Sequence, residues 1–478
     1  MAGPPPESPA ASPRRGWALP LVILSVVFLA RPVWWDLARV AGWVASPESE
    51  PSAAVEFFAL NLEAKYVVGF MVLLERAGPP GEASRARMLE RLAEAEAEES
   101  PSADWVRSRL ILLRYLGDER GFERVASMSP RQRQAPSAAE GVAVETPALP
   151  ARELVDRLYL EERPLKPGDL EPARREMGFL GRLAALEAER REAAPGREAA
   201  LARLEAEAVR YTFILAGVFT GLMGLGVAGL VLLAVGLRSA ARGGWAGRMR
   251  SPSIGLGLLW ETFALYLAAL AGGSLLREAF PGGGLGPAVM LELAALGLLF
   301  YPLFRGASFR PWLETLGVSR GSGIGRELAS GLAGYAAALP LMGLGLVASA
   351  ALASATPLKL GEGVHPIAPL LAEEGGSAGR VAMIVALAVA IAPILEELLF
   401  RGYFYAALRR RLSAPAAVAL SATVFAAIHP QGVLGLAPLA AIGVALAALR
   451  EWRGSLIAPI VAHAAVNGVT MTVLLAGL

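Results

Sequence analysis

Apolar and polar positions divide the chain into one long polar region and a series of apolar stretches. From Tyr211 onward, eight apolar stretches are separated by short loops rich in arginine. A run of about 20 apolar residues is long enough to cross the hydrocarbon core of a bilayer as a helix. The pattern therefore predicts an all-α bundle of about eight membrane spans. The stretches cover residues 211–237, 254–276, 285–304, 328–353, 381–400, 415–429, 432–449 and 455–477.

A shorter apolar segment lies near the N-terminus. It follows residues 1–16, a Pro/Ser/Ala-rich tail without apolar periodicity that we interpret as disordered. The apolar run at 17–30 is too short for a comfortable span, and two arginines precede it, which fits the hydrophobic region of a signal peptide. Extended to residue 44, past two tryptophans, it fits a membrane anchor. We favour the anchor, and both alternatives send the following residues across the membrane.

Residues 45–209 form the polar region. Apolar residues such as Phe57, Leu60 and Val67 recur there at helical spacing, and runs of β-branched residues are few. This pattern predicts an all-helical soluble domain of five to seven helices, with an internal loop at 129–150, where Pro, Ser, Ala and Gln are frequent. Because the region carries no catalytic motif, we interpret it as a recognition or regulatory domain.

Composition supports a membrane protein and excludes several kinds of chemistry. Hydrophobic residues make up 54% of the chain and charged residues only 18%, whereas globular proteins have about 45–50% and 25%. The net charge of +2 provides no basic field for nucleic acid. The absence of cysteine excludes disulfides, thiolate metal sites and cysteine nucleophiles. The chain has three histidines, so imidazole chemistry must use His365, His429 or His463.

The distribution of arginine among the loops predicts the orientation in the membrane. One set of alternating loops holds 13 arginines, including Arg450 and Arg453, whereas the other set holds three basic residues. The positive-inside rule then puts the N-terminus in the cytoplasm and the polar domain outside, although Arg31 and Arg39 oppose this orientation. The 42 arginines against 3 lysines are typical of a GC-rich bacterial genome. We therefore expect a multi-pass protein of the bacterial inner membrane.

Ionisable groups within apolar stretches are costly, so they are candidate functional residues. We assign no role to Glu261 or Glu292, which could pair across the bundle or line a water path, and we interpret His365 as a solvated loop residue. The remaining ionisable candidates all lie in the last 100 residues and are Glu396, Glu397, His429 and His463. Arg401 and Asn467, in the same part of the chain, are further candidate residues.

The segment LEELLFRG carries the two adjacent carboxylates. Glu397 and Arg401 are four residues apart and share a helix face, so they can form an ion pair. Glu396 lies about 100° round the helix from Glu397. It is free to face the interior of the bundle and to act as a general base on water. The alternative is that all three residues form a charge-neutral packing cluster.

Two later helices carry the imidazoles. His429 follows Phe425 by one turn, and His463 shares a helix face with Asn467. A lone histidine can equally be a packing residue, but two polar side chains on one lipid-embedded face need partners. Counting about 1.5 Å per residue from the cytoplasmic helix ends places Glu396, His429 and His463 within about 10 Å of one depth. We therefore predict one buried site with access to water.

Three motifs occur in order within residues 380–478. These are EExxxR (Glu396, Glu397, Arg401), FxxxH (Phe425, His429) and HxxxN (His463, Asn467). They resemble the CPBP intramembrane proteases, a family that includes CAAX prenyl endopeptidases and bacteriocin-processing and self-immunity proteins. The resemblance implies a catalytic core at 380–478, with accessory transmembrane helices at 210–379.

The resemblance also implies roles for the motif residues in an intramembrane endopeptidase. Glu396 and His429 would activate the attacking water. His463 and Asn467 would donate hydrogen bonds to the oxyanion. Glu397 and Arg401 would orient and neutralise the site.

The sequence leaves alternatives open for both the cofactor and the function. Glu396, His429 and His463 could supply three zinc ligands with water as the fourth, but the HExxH pattern of common zinc peptidases is absent. We expect no obligatory metal, with zinc as an option. The expected substrate is a membrane-associated peptide or protein, and nothing indicates that it is prenylated. A non-catalytic scaffold or immunity protein and a proton-coupled transporter are the alternatives, although we find no transporter-like repeat.

Overall fold

The computed structural model is helical throughout the part of the chain that it describes. The predicted tail at 1–16, the predicted loop at 129–150, Glu292 and His365 lie outside that part. The described residues are 17–40, 53–93, 103–128, 151–161, 165, 167–191, 196–244, 249, 253–279, 296–356, 371 and 378–477.

Contacts divide the chain into two units. The membrane unit comprises residues 1–47, 221–367 and 379–471, and the polar unit comprises residues 48–220, 368–378 and 472–478.

The membrane unit begins with two short helices, α1 (Ala18–Leu29) and α2 (Arg31–Val40). They are bent by 54° at Ala30, so together they form either a broken span or a re-entrant loop. Helix α2 is amphipathic: Trp34 and Trp35 are exposed, whereas Asp36 is buried on the opposite face. This is the segment that the sequence predicts to be an anchor.

The polar unit packs its helices around one apolar core. Leu110, Ile111, Val155 and Leu180 are among its fully buried residues. The helices are α3 (Ala53–Arg76), α4 (Pro79–Ala93), α5 (Ala103–Leu116), α6 (Glu119–Ala126), α7 (Ala151–Tyr159), α8 (Glu171–Glu176), α9 (Gly178–Arg191) and the first half of α10 (Arg197–Ala241).

A partly buried charge cluster joins α3, α9 and α10 inside the polar unit. The Nζ of Lys65 lies 2.6 Å from Oε1 of Glu207, whose two oxygens also accept hydrogen bonds from Arg182 at 2.9 Å. Burial lowers the pKa of the Lys65 ammonium, since desolvation disfavours its charge. Glu207 thus forms ion pairs with two cations, Lys65 and Arg182.

The rest of the membrane unit consists of the second half of α10 and eight further helices. These are α11 (Leu256–Ala279), the short α12 (Tyr301–Phe304), α13 (Phe309–Leu316), α14 (Ile324–Ala355), α15 (Ala378–Arg409), α16 (Ala414–Ala427), α17 (Gly432–Arg453) and α18 (Ile457–Gly477). Helix α1 packs on α11, whereas α2 and α14 both pack on α17.

Six described helices are long and apolar enough to cross a membrane, or seven if the bent α1–α2 pair is one span. The eight spans and the N-terminal anchor predicted from the sequence are therefore not confirmed in number. The stretch at 415–429 forms only the 14-residue α16, which is short of the ~20 residues of a comfortable span. The stretch at 285–304 is described only from residue 296 and contains short helical turns there.

Candidate active site

Helix α15 presents the two adjacent carboxylates from a short α-helical turn between two distorted segments. Ala392–Glu397 is α-helical, whereas Leu387–Ile391 before it and Leu398–Phe404 after it are π-helical. Such wider turns are rare and occur frequently at functional sites. The π-helical segments thus bracket Glu396 and Glu397 on both sides.

Glu397 and Arg401 form a fully buried ion pair, as their spacing of four residues predicts. Arg401 Nη1 donates to Glu397 Oε1 at 2.8 Å, and Arg401 Nη2 donates to the carbonyl oxygen of Gly443 at 3.2 Å. His463 Nδ1 lies 2.9 Å from the same carboxylate oxygen. The carboxylate therefore links α15 to α18, and the guanidinium links α15 to α17.

Glu396 faces both imidazoles. Its Oε2 lies 3.9 Å from Nε2 of His429 and 3.7 Å from Nε2 of His463. Glu396 belongs to α15, His429 follows the end of α16, and His463 belongs to α18. The structure thus brings together the three residues that helix rise places at a similar depth. The Glu396 side chain is 30% exposed. Its Oε2 has no hydrogen-bond partner among the described residues.

Hydrogen bonds at Nδ1 indicate how each imidazole carries its proton. His429 Nδ1 lies 2.6 Å from the carbonyl oxygen of Phe425. A carbonyl oxygen can only accept, so His429 Nδ1 must carry the hydrogen, and Nε2 of the neutral ring keeps a lone pair. His463 Nδ1 faces the arginine-paired Glu397 and is a donor by the same argument. Both Nε2 atoms thus remain available toward Glu396.

The ring of Phe425 lies at the centre of this group, a role that its place in the FxxxH motif does not predict. Its centroid lies 4.6 Å from the Arg401 guanidinium carbon, 4.5 Å from the His429 ring and 5.8 Å from the His463 ring. Phe400 packs edge-on against it at 5.2 Å. The aromatic face favours the buried cation and keeps both imidazoles in place.

Asn467 makes a different contact from the other motif residues. Its Nδ2 donates at 2.8 Å to the carbonyl oxygen of Ala388, which lies in the first π-helical segment of α15. Asn467 therefore ties α18 to the distorted part of α15. One of its amide hydrogens is used by this bond, and the second is left for another acceptor.

Arg450 supports the site from α17, a role that sequence reasoning missed. The sequence pattern predicts a loop charge at this position, but the Arg450 side chain is buried. It donates to the carbonyl oxygens of Arg401 at 3.3 Å and Thr315 at 3.1 Å, and also to that of Gly454. Gly454 follows the last turn of α17, whereas Arg401 and Thr315 belong to other helices, so carbonyl oxygens from three segments stabilise this buried charge.

Glu261 also has partners in the membrane unit. Its Oε2 accepts from the Tyr301 hydroxyl at 2.8 Å and from Arg305 Nη1 at 3.1 Å. Of the two possibilities raised by the sequence, pairing within the bundle is the one observed.

A metal site does not emerge from the described residues. No three His, Asp or Glu side chains among them are grouped so that they could hold a metal ion. The expectation that Glu396, His429 and His463 need no obligatory metal stays a prediction. The chemistry that they offer is that of one carboxylate and two imidazoles.

Comparison with known families matches the C-terminal part of the chain. Residues 378–469 match the family model described as Type II CAAX prenyl endopeptidase Rce1-like. This segment is therefore similar to Rce1-like domains. The resemblance to the CPBP family inferred from the three motifs is thereby confirmed, and the match supports a CAAX-protease-like intramembrane peptidase at family level. The match leaves residues 1–377 outside the domain.

Neither a search of curated proteins nor a search of solved structures found a match.

Proposed function

We propose that the protein is an intramembrane endopeptidase that uses Glu396 as its general base. The observation that carries this proposal is the convergence of Glu396 Oε2 with the Nε2 atoms of His429 and His463, at 3.9 and 3.7 Å. These distances exceed a direct hydrogen bond, and one water molecule could bridge such a gap. A water held there would contact a carboxylate and a free imidazole lone pair.

The proposed reaction hydrolyses one peptide bond. Glu396 accepts a proton from the water while the water oxygen bonds to the scissile carbonyl carbon, and His429 orients that water through Nε2. The carbonyl oxygen becomes the oxyanion of a tetrahedral intermediate. When the intermediate collapses, the carbon–nitrogen bond breaks and the proton on Glu396 passes to the leaving amine. The products are a carboxylic acid and an amine.

His463 and Asn467 are the proposed donors to the oxyanion. Because Glu397 engages the His463 Nδ1–H, His463 can donate from Nε2 only as an imidazolium. Arg401 balances the charge of Glu397 in the same cluster. Asn467 would contribute the amide hydrogen that does not bind Ala388. Preorganised donors of this kind typically contribute a factor of about 10²–10³ to the rate.

The proposed substrate is a membrane-associated peptide or protein. The matching family is described as a prenyl endopeptidase, so a peptide with a prenylated C-terminal cysteine is the first substrate to assay. The arginine-rich, GC-type composition makes an unprenylated bacterial substrate our preferred class. We propose no obligatory metal for this reaction.

Membrane-proteome cleavage tests the activity directly. Cells would carry the native protein, Glu396→Gln or the control Glu314→Gln, whose carboxylate lies on the exposed side of α13, at matched abundance. We expect fragments that appear with the native and control proteins and are absent with Glu396→Gln. Identical fragments in all three would overturn the proposal and favour a non-catalytic scaffold.

We further propose that the protein resides in the bacterial inner membrane with its polar unit outside the cytoplasm. Because the chain contains no cysteine, single cysteines can report its orientation. A membrane-impermeant maleimide added to intact cells should label Ser127→Cys in the polar unit and should leave Arg411→Cys unlabelled. Both side chains are exposed. The opposite labelling would reverse the proposed orientation.

A further inference from the structure

A cleft of about 480 Å³ lies in the polar unit, where α10 changes from a charged to an apolar sequence. The cleft is far along the chain from the Glu396 motif and none of the chemistry above uses it. Its lining combines two cations with apolar side chains. The lining residues are Arg76, Ala206, Val209, Arg210, Phe213 and Ile214.

Two exposed arginines supply its positive charge. Arg76 is the last residue of α3, and Arg210 precedes the apolar run of α10. Neither guanidinium has a hydrogen bond or an ion pair with any residue that the structure describes. Glu207, one turn before Arg210, is already engaged by Lys65 and Arg182. The cleft therefore presents two cations that attract an anionic ligand.

The apolar side of the cleft belongs to the membrane-facing part of α10. Phe213 is 60% exposed, and the most apolar 18-residue window of this helix is only 6% buried within the protein. Such a surface is stable when lipid covers it. The two arginines thus lie at the start of a lipid-facing segment. In a bilayer, the phosphate groups lie at this level, next to the acyl chains.

We propose that this cleft binds one anionic phospholipid. Arg76 and Arg210 would hold the phosphate, and Phe213 and Ile214 would contact the first part of an acyl chain. A free phosphate offers the same anionic chemistry, but it leaves the apolar side uncovered, so the lipid is the better fit. This proposal does not rest on the proposed peptidase activity, since the residues that line the cleft lie outside the segment that matches the Rce1-like family model.

Native mass spectrometry of the full-length protein in neutral detergent tests the proposal. Dioleoyl phosphatidylglycerol and dioleoyl phosphatidylcholine would be titrated separately. For the double variant Arg76→Gln/Arg210→Gln we expect affinity for phosphatidylglycerol to fall about thirtyfold, from the usual effect of two basic residues near anionic lipid. The charge-matched control Arg120→Gln/Arg203→Gln removes two exposed arginines outside the cleft and should bind as the native protein does.

A further variant separates a lipid from a free phosphate. Phe213→Asn should weaken phosphatidylglycerol binding, and millimolar inorganic phosphate should not displace the lipid. The proposal is overturned if phosphatidylcholine binds as tightly as phosphatidylglycerol, or if the control variant loses as much affinity as the cleft variant. Displacement by phosphate together with an unchanged Phe213→Asn would identify a free-phosphate site and would overturn the lipid assignment. Circular dichroism and gel filtration would verify that each variant is folded.

Discussion

His463 and Arg401 share one carboxylate oxygen, Oε1 of Glu397, at 2.9 and 2.8 Å. Glu397 and Arg401 are both fully buried, so neither can recover a lost partner from water. The shared oxygen therefore joins three motif residues into one unit, in which structural and chemical roles are coupled.

Replacing Arg401 should destabilise the membrane unit. Arg401→Ala removes the one permanently charged cation that contacts Glu397 among the described residues, and leaves His463 as the remaining partner of this buried carboxylate. Breaking a buried pair in this way costs about 3–5 kcal/mol. We expect lower accumulation and a lower midpoint in thermal unfolding followed by gel filtration in detergent. The exposed Arg411→Ala should behave as the native protein. Normal accumulation and full cleavage by Arg401→Ala would contradict the role assigned to this ion pair.

The two histidines should differ in their effect on stability. His463→Ala removes a partner of the buried Glu397, which costs about 1–3 kcal/mol. His429 is only partly buried, and its Nδ1 contacts a carbonyl of the preceding turn, so His429→Ala should leave the unfolding midpoint nearly unchanged. Both variants should reduce the rate of cleavage by about 10²–10⁴-fold. Parallel thermal and cleavage measurements would test this difference, and equal stability losses would contradict it.

The contact between Asp36 and α17 predicts a sensitive position near His429. Asp36 Oδ2 accepts a hydrogen bond from the backbone N–H of Val433 at 2.8 Å, at the start of α17. Gly432 has a φ of +61°, and a β-carbon there would lie 2.1 Å from Asp36 Oδ2. Gly432→Ala should therefore cost more than about 1 kcal/mol. Asp36→Ala should cost about 1 kcal/mol through loss of this cap.

Hydrogen–deuterium exchange can follow that contact locally. Peptides covering residues 430–437 should exchange faster in Asp36→Ala than in the native protein, whereas Asp36→Asn should remain close to the native rate because its amide oxygen can still accept. Unchanged exchange in Asp36→Ala would mean that α1 and α2 do not hold the start of α17.

Two glycines of α14 form a matched pair for testing its packing on α17. A β-carbon at Gly345 would lie 2.6 Å from the backbone nitrogen of Pro438, whereas one at Gly343 would meet nothing within 4 Å. Gly345→Ala should destabilise the protein by about 1–3 kcal/mol through overpacking. Gly343→Ala should be neutral or should stabilise it by up to about 1 kcal/mol, since Ala favours helix. Unfolding midpoints in one detergent would compare them, and equal midpoints would contradict this helix packing.

The local part of the candidate site could be predicted from the sequence. The spacing of Glu397 and Arg401 determines their side-chain pairing, because residues four apart share a helix face. Helix rise alone also put Glu396 and both histidines at a similar depth, and the structure brings them together. These inferences needed only the geometry of single helices.

Contacts between distant segments could not be predicted in the same way. Asp36 meets Val433 across 397 positions of sequence, and nothing in the local pattern of either segment indicates the other. Arg450 resembles a loop charge because it follows an apolar stretch, yet backbone carbonyls from three segments surround it. The span count predicted from hydropathy is not confirmed, since the apolar stretch at 415–429 forms a helix of only 14 residues.

The π-helical segments on either side of Ala392–Glu397 make the length of α15 as important as its composition. In each of them the backbone bonds i to i+5, so the turn holds one residue more than an α-helical turn. Removing one residue from either segment would let that turn relax to an α-helical turn and would leave the residues on its two sides at nearly the same rotation. The α-helical turn Ala392–Glu397 has no extra residue to lose, so a deletion there would rotate the residues beyond it by about 100°. The wide turns thus absorb a change in length that would otherwise turn Glu396 and Arg401 out of phase with Asn467.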